Sequence, residues 1–149
     1  PKFSMQVELL NADAATKPHS VVAIPVKDEA ERICACLESL ADQTVDLSDV
    51  AVVLLLNNCA DETAELVRAM APQLPFMIEM RLVELPEPYA NAGWARRLAM
   101  EAAADLARPE GLILTTDADT LVDCDWIEAN RKEIAGGVDA VAMLGDGRE

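Results

Sequence analysis

The chain has 149 residues, 52% of them hydrophobic and only 3% aromatic, and carries a formal net charge of −15 at pH 7. That length fits one domain or part of one, with a core built from Ala, Leu, Val, Ile and Met. The acidic excess argues against nucleic-acid binding, which needs Lys and Arg to displace phosphate counterions, and against an anionic membrane surface; a phosphorylated ligand would need a metal or local arginines to offset the same field.

Residues 1–20 read as an N-terminal lead-in, with an edge strand over 4–10 and a loop over 11–20. From there, apolar β-branched runs alternate with helical periodicity. Residues 21–26 predict a strand. Asp28 and Glu31 have capping-box spacing ahead of a helix carrying Ile33, Cys36, Leu37 and Leu40. The longest apolar run, 50–56, suits a second buried strand, and 57–61 a polar turn. No run is long enough to span a bilayer, and no stretch reads as a signal peptide. Leu66, Ala69 and Met70 mark the inner side of a helix that Pro72 and Pro75 end. Residues 76–85 set Ile78, Met80 and Leu82 against Glu79 and Arg81, the alternation of a strand.

A loop over 86–91 precedes an Ala- and Leu-rich helix over 92–107. Its inner face holds Ala95, Leu98, Ala99, Ala102 and Leu106, and its outer face Arg97, Glu101 and Asp105. Residues 112–116 predict a strand, 125–135 a short helix carrying Trp126, Ile127, Asn130 and Ile134, and 138–143 a further strand.

This alternation implies an α/β fold: a Rossmann-like, mostly parallel sheet flanked by helices on both faces. The unit spans 21–142, with 143–149 as a tail. Right-handed crossovers bring the carboxyl ends of the strands to one edge, where ligands bind in open α/β sheets. The segments that converge there are Lys27-Asp28-Glu29, 57–61, 86–93 and Asp117-Ala118-Asp119.

Cys34, Cys36, Cys59 and Cys124 include no C-x-x-C pair, and His19 is the only histidine, which argues against zinc. Cys34 and Cys36 lie about 200° apart on a helix and cannot share a face. Reduced, mostly buried thiols fit a cytoplasmic setting.

Asp117 and Asp119 are the sharpest chemical signal. In extended chain, residues i and i+2 point to one side, and two carboxylates there repel unless a hard divalent cation with oxygen ligands neutralises them. The competing reading has one Asp capping the next turn and the other solvated.

Taken in order, the motifs resemble those of a nucleotide-sugar glycosyltransferase of the GT-A fold, family 2-like, in its donor-binding half. Pro25-Val26-Lys27-Asp28-Glu29 resembles the opening Pro-x-aromatic-Asn-Glu of that family. Asn57-Asn58-Cys59-Ala60-Asp61-Glu62-Thr63 resembles its Asp-Asp-Gly-Ser-x-Asp-x-Thr. Asn91-Ala92-Gly93, followed by Arg96 and Arg97, resembles its Asn-x-Gly helix start, and Asp117-Ala118-Asp119 matches its Asp-x-Asp.

The resemblance implies that Pro25 and Glu29 line the base and ribose pocket and that Asn57 contacts the base. Glu29 is equally an ordinary first-turn acid favoured by the helix dipole, Asn57 a turn residue, and Asp61 a helix cap. Gly93 either lets the helix start approach the ligand or relaxes a turn. Arg96 and Arg97 approach the diphosphate, one of them instead pairing with Glu101. Asp119 is the principal metal ligand, with Asp117 reaching the ribose or the metal, and the oxygen-only donors suit Mn²⁺ or Mg²⁺. The implied partner is a nucleotide-diphosphate sugar, with no nucleic acid and no transmembrane segment.

Lys27 and Asp28 depart from the aromatic and Asn of the pattern, and Asn57 replaces an Asp. The base that deprotonates the acceptor comes from a later segment in this family; residues 143–149 do not resemble it, and no catalytic residue is named. The alternative is a non-catalytic nucleotide-binding module lacking the acceptor half, a homo-oligomer through its uncovered sheet. A dehalogenase-type phosphatase would carry Thr or Val where Leu121 stands, and a nucleotidyltransferase would carry a Gly-rich basic loop in place of Val26-Lys27-Asp28.

Overall fold

The computed structural model describes residues 1–11 and 17–135. Five strands form one sheet: β1 (Gln6–Leu10), β2 (Ser20–Val26), β3 (Val50–Asn57), β4 (Met77–Val83) and β5 (Leu112–Thr115). The helices are α1 (Ile33–Ala41), α2 (Thr63–Met70), α3 (Ala92–Leu106) and α4 (Trp126–Ala135). The strand order is β1-β4-β3-β2-β5, with β2 to β5 parallel and β1 antiparallel at one edge.

All eight residues of the central β3 are buried, the pattern of a parallel strand covered on both faces. One face of the sheet packs on α1, α2 and α4 through Val22, Ile24, Leu54, Leu37, Val67 and Ile127. The other face packs on α3 through Val21, Ala23, Val53, Leu55, Ala99 and Ala103. Small residues on α3 let it lie close to the sheet where larger side chains would hold it off. Gln43, only 8% exposed, joins α1 to α4 by donating to Asp123 O and accepting from Ile127 N. Among the described residues no helix is long and apolar enough to cross a membrane.

The lead-in contributes β1 to this sheet. Glu8 on β1 accepts two bonds from the Arg68 guanidinium on α2, at 2.8 and 2.7 Å.

Several local expectations are corrected. Asp28 and Glu31 do not cap α1: the helix begins at Ile33 with Arg32 at its N-cap and no side-chain cap. Asp28 takes φ 54° and turns its carboxylate across to the next loop. Ala69 is exposed on α2, and Val67 holds the core position. Leu106 is half-buried while Ala103 is fully buried. Asn57 ends β3 rather than opening a turn, and Glu79 is buried on β4 because it pairs with Arg81 on the same face. Ile134 is exposed on α4. The strand predicted over 138–143 lies outside the described residues.

Candidate functional site: a cleft at the strand switch point

From β2 the chain crosses to β3 on one side, and β5 later joins β2 on the other. The crevice at such a reversal is where open α/β sheets bind ligands. A cleft of ≈ 280 Å³ opens there, at the carboxyl ends of β2 and β5. Its walls bring together Pro25, Glu29, Asn57, Arg96, Asp117 and Asp119, drawn from four separate segments, with Lys27 and Asn91 beside them.

Each wall has a local cause. Pro25 sits inside β2, yet β5 pairs with β2 only as far as Ala23. The Ala23 carbonyl faces β5, accepting from Thr116 N, so Pro25 two residues on faces the same way, past the end of β5. Its missing N–H therefore breaks no ladder bond. Asn57 is 4% exposed at the last ladder position of β3, opposite Val83. Glu29 accepts from Arg32 Nε at 2.9 Å, and its own N–H donates to the Thr63 hydroxyl at 3.1 Å.

Asp117 and Asp119 do not continue the strand. The chain turns, with Thr120 N donating to Asp117 O at 3.0 Å. Asp117 and Asp119 still line the cleft, together with the buried Ala118 between them. Arg96 on α3 donates to the carboxylate of Asp117 and to the hydroxyl of Thr115, which in turn donates to Ala23 O at 2.8 Å. Thr115 was not singled out by sequence reasoning; an apolar strand ending in Thr ahead of an acidic pair is a signal too common to find it.

Arg97 is the other arginine, turned outward: its guanidinium lies 4.6 Å from the Trp94 ring centroid and pairs with Glu101 at 3.3 Å. Gly93 is exposed in the first turn of α3 and is not among the residues lining the cleft. A Cβ there would meet Asn91 Oδ1 at 3.5 Å, ordinary contact, so the fold does not itself require glycine.

Carboxylates dominate the field. The buried Cys36 thiol donates to Asp117 O at 3.8 Å, and its pKa is pushed up to about 12, first by burial and then by the charges of Asp119, Glu29 and Asp117. Arg96 engages Asp117, whereas among the described residues Asp119 has a single long 3.5 Å contact, from the Thr120 hydroxyl. An exposed, weakly engaged carboxylate beside a second one is a donor set that fits a hard divalent cation, the remaining positions going to water and phosphate.

A second acidic group serves the fold instead. Asp28, Cys59 and Asp61 place their ligand atoms within 4.8 Å of one another. Their acceptors are already engaged: Asp28 Oδ1 takes Ala60 N at 2.7 Å and Asp61 N at 3.2 Å, and Asp61 Oδ2 takes Ala30 N at 3.1 Å. Asp61 Oδ1 takes Thr63 N at 3.0 Å just ahead of α2, but it is not the cap read from sequence: the N-cap position is Glu62, and no side chain caps the helix. These bonds lock the loop after β2 to the loop after β3.

Both carboxylates are held below the usual aspartate value. For Asp28 the chief cause is the Ala60 N–H, and for Asp61 the Thr63 hydroxyl. A depressed folded-state pKa gives stability that is complete above the unfolded value and lost as the pH falls through the folded one. The melting temperature of the wild type is therefore expected to exceed that of an Asp28→Asn/Asp61→Asn double variant at neutral pH. The gap should close below about pH 4. A gap that persists unchanged in acid would count against this loop lock.

A family model described as Glycosyl transferase family 2 matches residues 21–148. No curated protein matches the chain. Among solved structures, S. aureus TarS 1–349 in complex with UDP is similar at TM-score 0.61 and 21% identity, over 78% of this chain and 32% of that one. The same protein in complex with UDP-GlcNAc gives TM-score 0.59 and 22% identity, over 80% and 31%. The mannosyltransferase PcManGT from Pyrobaculum calidifontis, in complex with GDP-Man and Mn²⁺, gives TM-score 0.60 and 27% identity, over 83% and 35%. The chain thus spans about a third of the length of these structures.

Proposed function

Because the chain belongs to glycosyl transferase family 2, we propose that the cleft at the switch point binds a nucleotide-diphosphate sugar through a divalent metal, for glycosyl transfer to an acceptor. The observation that carries this reading is the meeting of Asp117, Asp119 and Arg96 with Pro25, Glu29 and Asn57 in one cleft. Pro25 and Asn57 offer a half-buried wall and an amide for the base, and Glu29 an acceptor for ribose hydroxyls. Asp119, with Asp117 beside it, would hold Mn²⁺ or Mg²⁺. Such an ion, acting as a Lewis acid, stabilises the charge that develops on the leaving diphosphate.

Arg96 has a part independent of the metal. Anchored to Thr115 and Asp117, its guanidinium is a planar donor already aimed into the cleft, suited to phosphate oxygens. It also sets Asp117 relative to the sheet. A cytoplasmic setting belongs to the same proposal and has support from four free cysteines.

The test is calorimetric titration of UDP, GDP and their sugar conjugates, with Mn²⁺ and then with EDTA. Binding of one nucleotide that EDTA removes is the expected result and names the base. No binding of any of them by folded protein would sink the reading.

One observation favours the second reading, a self-associating module. Val7 and Leu9, 47% and 55% exposed, stand on the edge strand β1. An edge with apolar side chains is a template for pairing. A mass that rises with concentration, together with metal-dependent nucleotide binding and no turnover, would mark that reading.

A further inference from the structure

We propose that residues 1–5 act as a strap that positions one wall of the cleft, with Phe3 as the positioning residue; the inference rests on the donor-site reading above. These residues precede the stretch matched by the family model. The Phe3 ring meets Tyr89 edge to face at 5.3 Å and Trp94 at 6.2 Å, and Tyr89 meets Trp94 at 5.0 Å. Such contacts set the positive edge of one ring against the negative face of another, and so fix orientation as well as distance.

The braced residues are neighbours of the cleft. Tyr89 directly precedes Ala90 and Asn91, and Trp94 directly precedes Ala95 and Arg96, all four of which line it. Asn91 caps α3 by accepting the Trp94 N–H at 2.9 Å, so a shift of Trp94 shifts the start of the helix that carries Arg96.

The strap has a fixed end. Three residues after Phe3, β1 begins its ladder with β4, and Phe3 and Met5 pack against the core under α3. The stretch from 84 to 91 lies outside the sheet ladder. It is pinned at its start where Asn58 accepts the Leu85 N–H at 3.1 Å and donates to Leu85 O at 3.2 Å. It is pinned at its end by the Asn91 cap. Between these ends Tyr89 N donates to Pro86 O at 2.7 Å within the stretch, and Phe3 adds a restraint from outside it. A wall held in one arrangement raises apparent affinity, because the intrinsic dissociation constant is divided by the competent fraction.

The experiment uses Phe3→Ala, the ring-preserving Phe3→Tyr, and Lys2→Ala, an exposed residue in the same segment but outside the aromatic cluster, as a control. Amide hydrogen exchange without ligand is expected to accelerate about fivefold to tenfold across residues 86–94 in Phe3→Ala, the size that lost edge-to-face contacts allow. Exchange in β2 and β3 should stay unchanged. Phe3→Tyr should restore protection, and Lys2→Ala should leave 86–94 alone. The Kd for UDP or GDP, whichever the wild type binds, should rise by a similar factor in Phe3→Ala and recover in Phe3→Tyr. Unchanged exchange across 86–94 overturns the strap, whether or not nucleotide binds. Faster exchange with an unchanged Kd overturns its part in the site. Wild-type protein that binds neither nucleotide sinks the donor reading, and exchange alone then decides the strap.

Discussion

Asp119→Ala is expected to abolish metal-dependent nucleotide binding while leaving the fold intact. Asp119 is exposed, and its hydrogen bond from Thr120 is long, at 3.5 Å. Its removal leaves no buried group without a partner and opens no cavity. Surface changes of that kind alter stability by about 0.5 kcal/mol or less. The loss should therefore appear in binding alone. Losing a group that only hydrogen-bonds to a metal ligand already lowers metal affinity by about 10- to 100-fold, so losing the proposed ligand itself should cost at least about 100-fold. Asp117 is a weaker substitute, because the Arg96 guanidinium already engages one of its carboxylate oxygens. Calorimetry with Mn²⁺ and a thermal melt of the same sample make the check. Mn²⁺-dependent affinity equal to that of the wild type would sink the metal-site assignment.

Gly111→Ala should produce the converse: a large loss of stability. Gly111 stands just before β5, and a Cβ there would lie 2.5 Å from His19 O and 2.8 Å from Arg108 O. Both are backbone atoms, and both are in use. His19 O accepts the first β5 bond from Leu112 N at 2.8 Å, and Arg108 O accepts Gly111 N at 2.8 Å. Arg108 cannot easily withdraw, because its N–H donates to Pro18 O at 3.0 Å and its guanidinium clasps Asp49 at 3.0 and 3.2 Å.

The added methyl must therefore push the four-residue strand β5 away from β2. Overpacking of this kind costs about 3 kcal/mol. That corresponds to a fall of about 6–12 °C in melting temperature for a chain of this size. The clash lies at the end of the sheet opposite the cleft, so nucleotide affinity at a temperature where the variant is folded should change little. A melting temperature within about 1 °C of the wild type would show that β5 can shift without penalty.

Much of the fold was legible because burial imposes a period. The spacing of Ile33, Cys36, Leu37 and Leu40 marked the face of α1 that is buried, and the run in β3 marked a strand covered on both sides. The Ala- and Leu-rich run located α3, whereas its N-cap, Asn91, reads in sequence only as the end of a loop. Asp117 and Asp119 stand out in the sequence as like charges two residues apart, but the extended chain expected there gives way to a turn, and the partner of Asp117 is Arg96. Asp28 misled because its side chain bonds Ala60 and Asp61, more than thirty residues away, and no local pattern records such a partner. Val67 was missed because a short helix offers too few positions to fix its phase.

By itself, then, the sequence determined the element types, the parallel α/β class and the segments that would meet at the carboxyl edge, all of which follow from periodicity and crossover handedness. Only the tertiary structure decided the strand order, and with it the switch point between β2 and β5 that opens the cleft. It also decided that Arg96 rather than Arg97 faces inward, that Thr115 anchors it, and that Phe3 reaches Tyr89 and Trp94. Those outcomes depend on which surfaces come to lie against each other across long separations. Hydrophobic burial is non-directional and constrains only which side of each element is covered, so the choice of neighbour is made by packing and by polar contacts that exist only once the chain has folded.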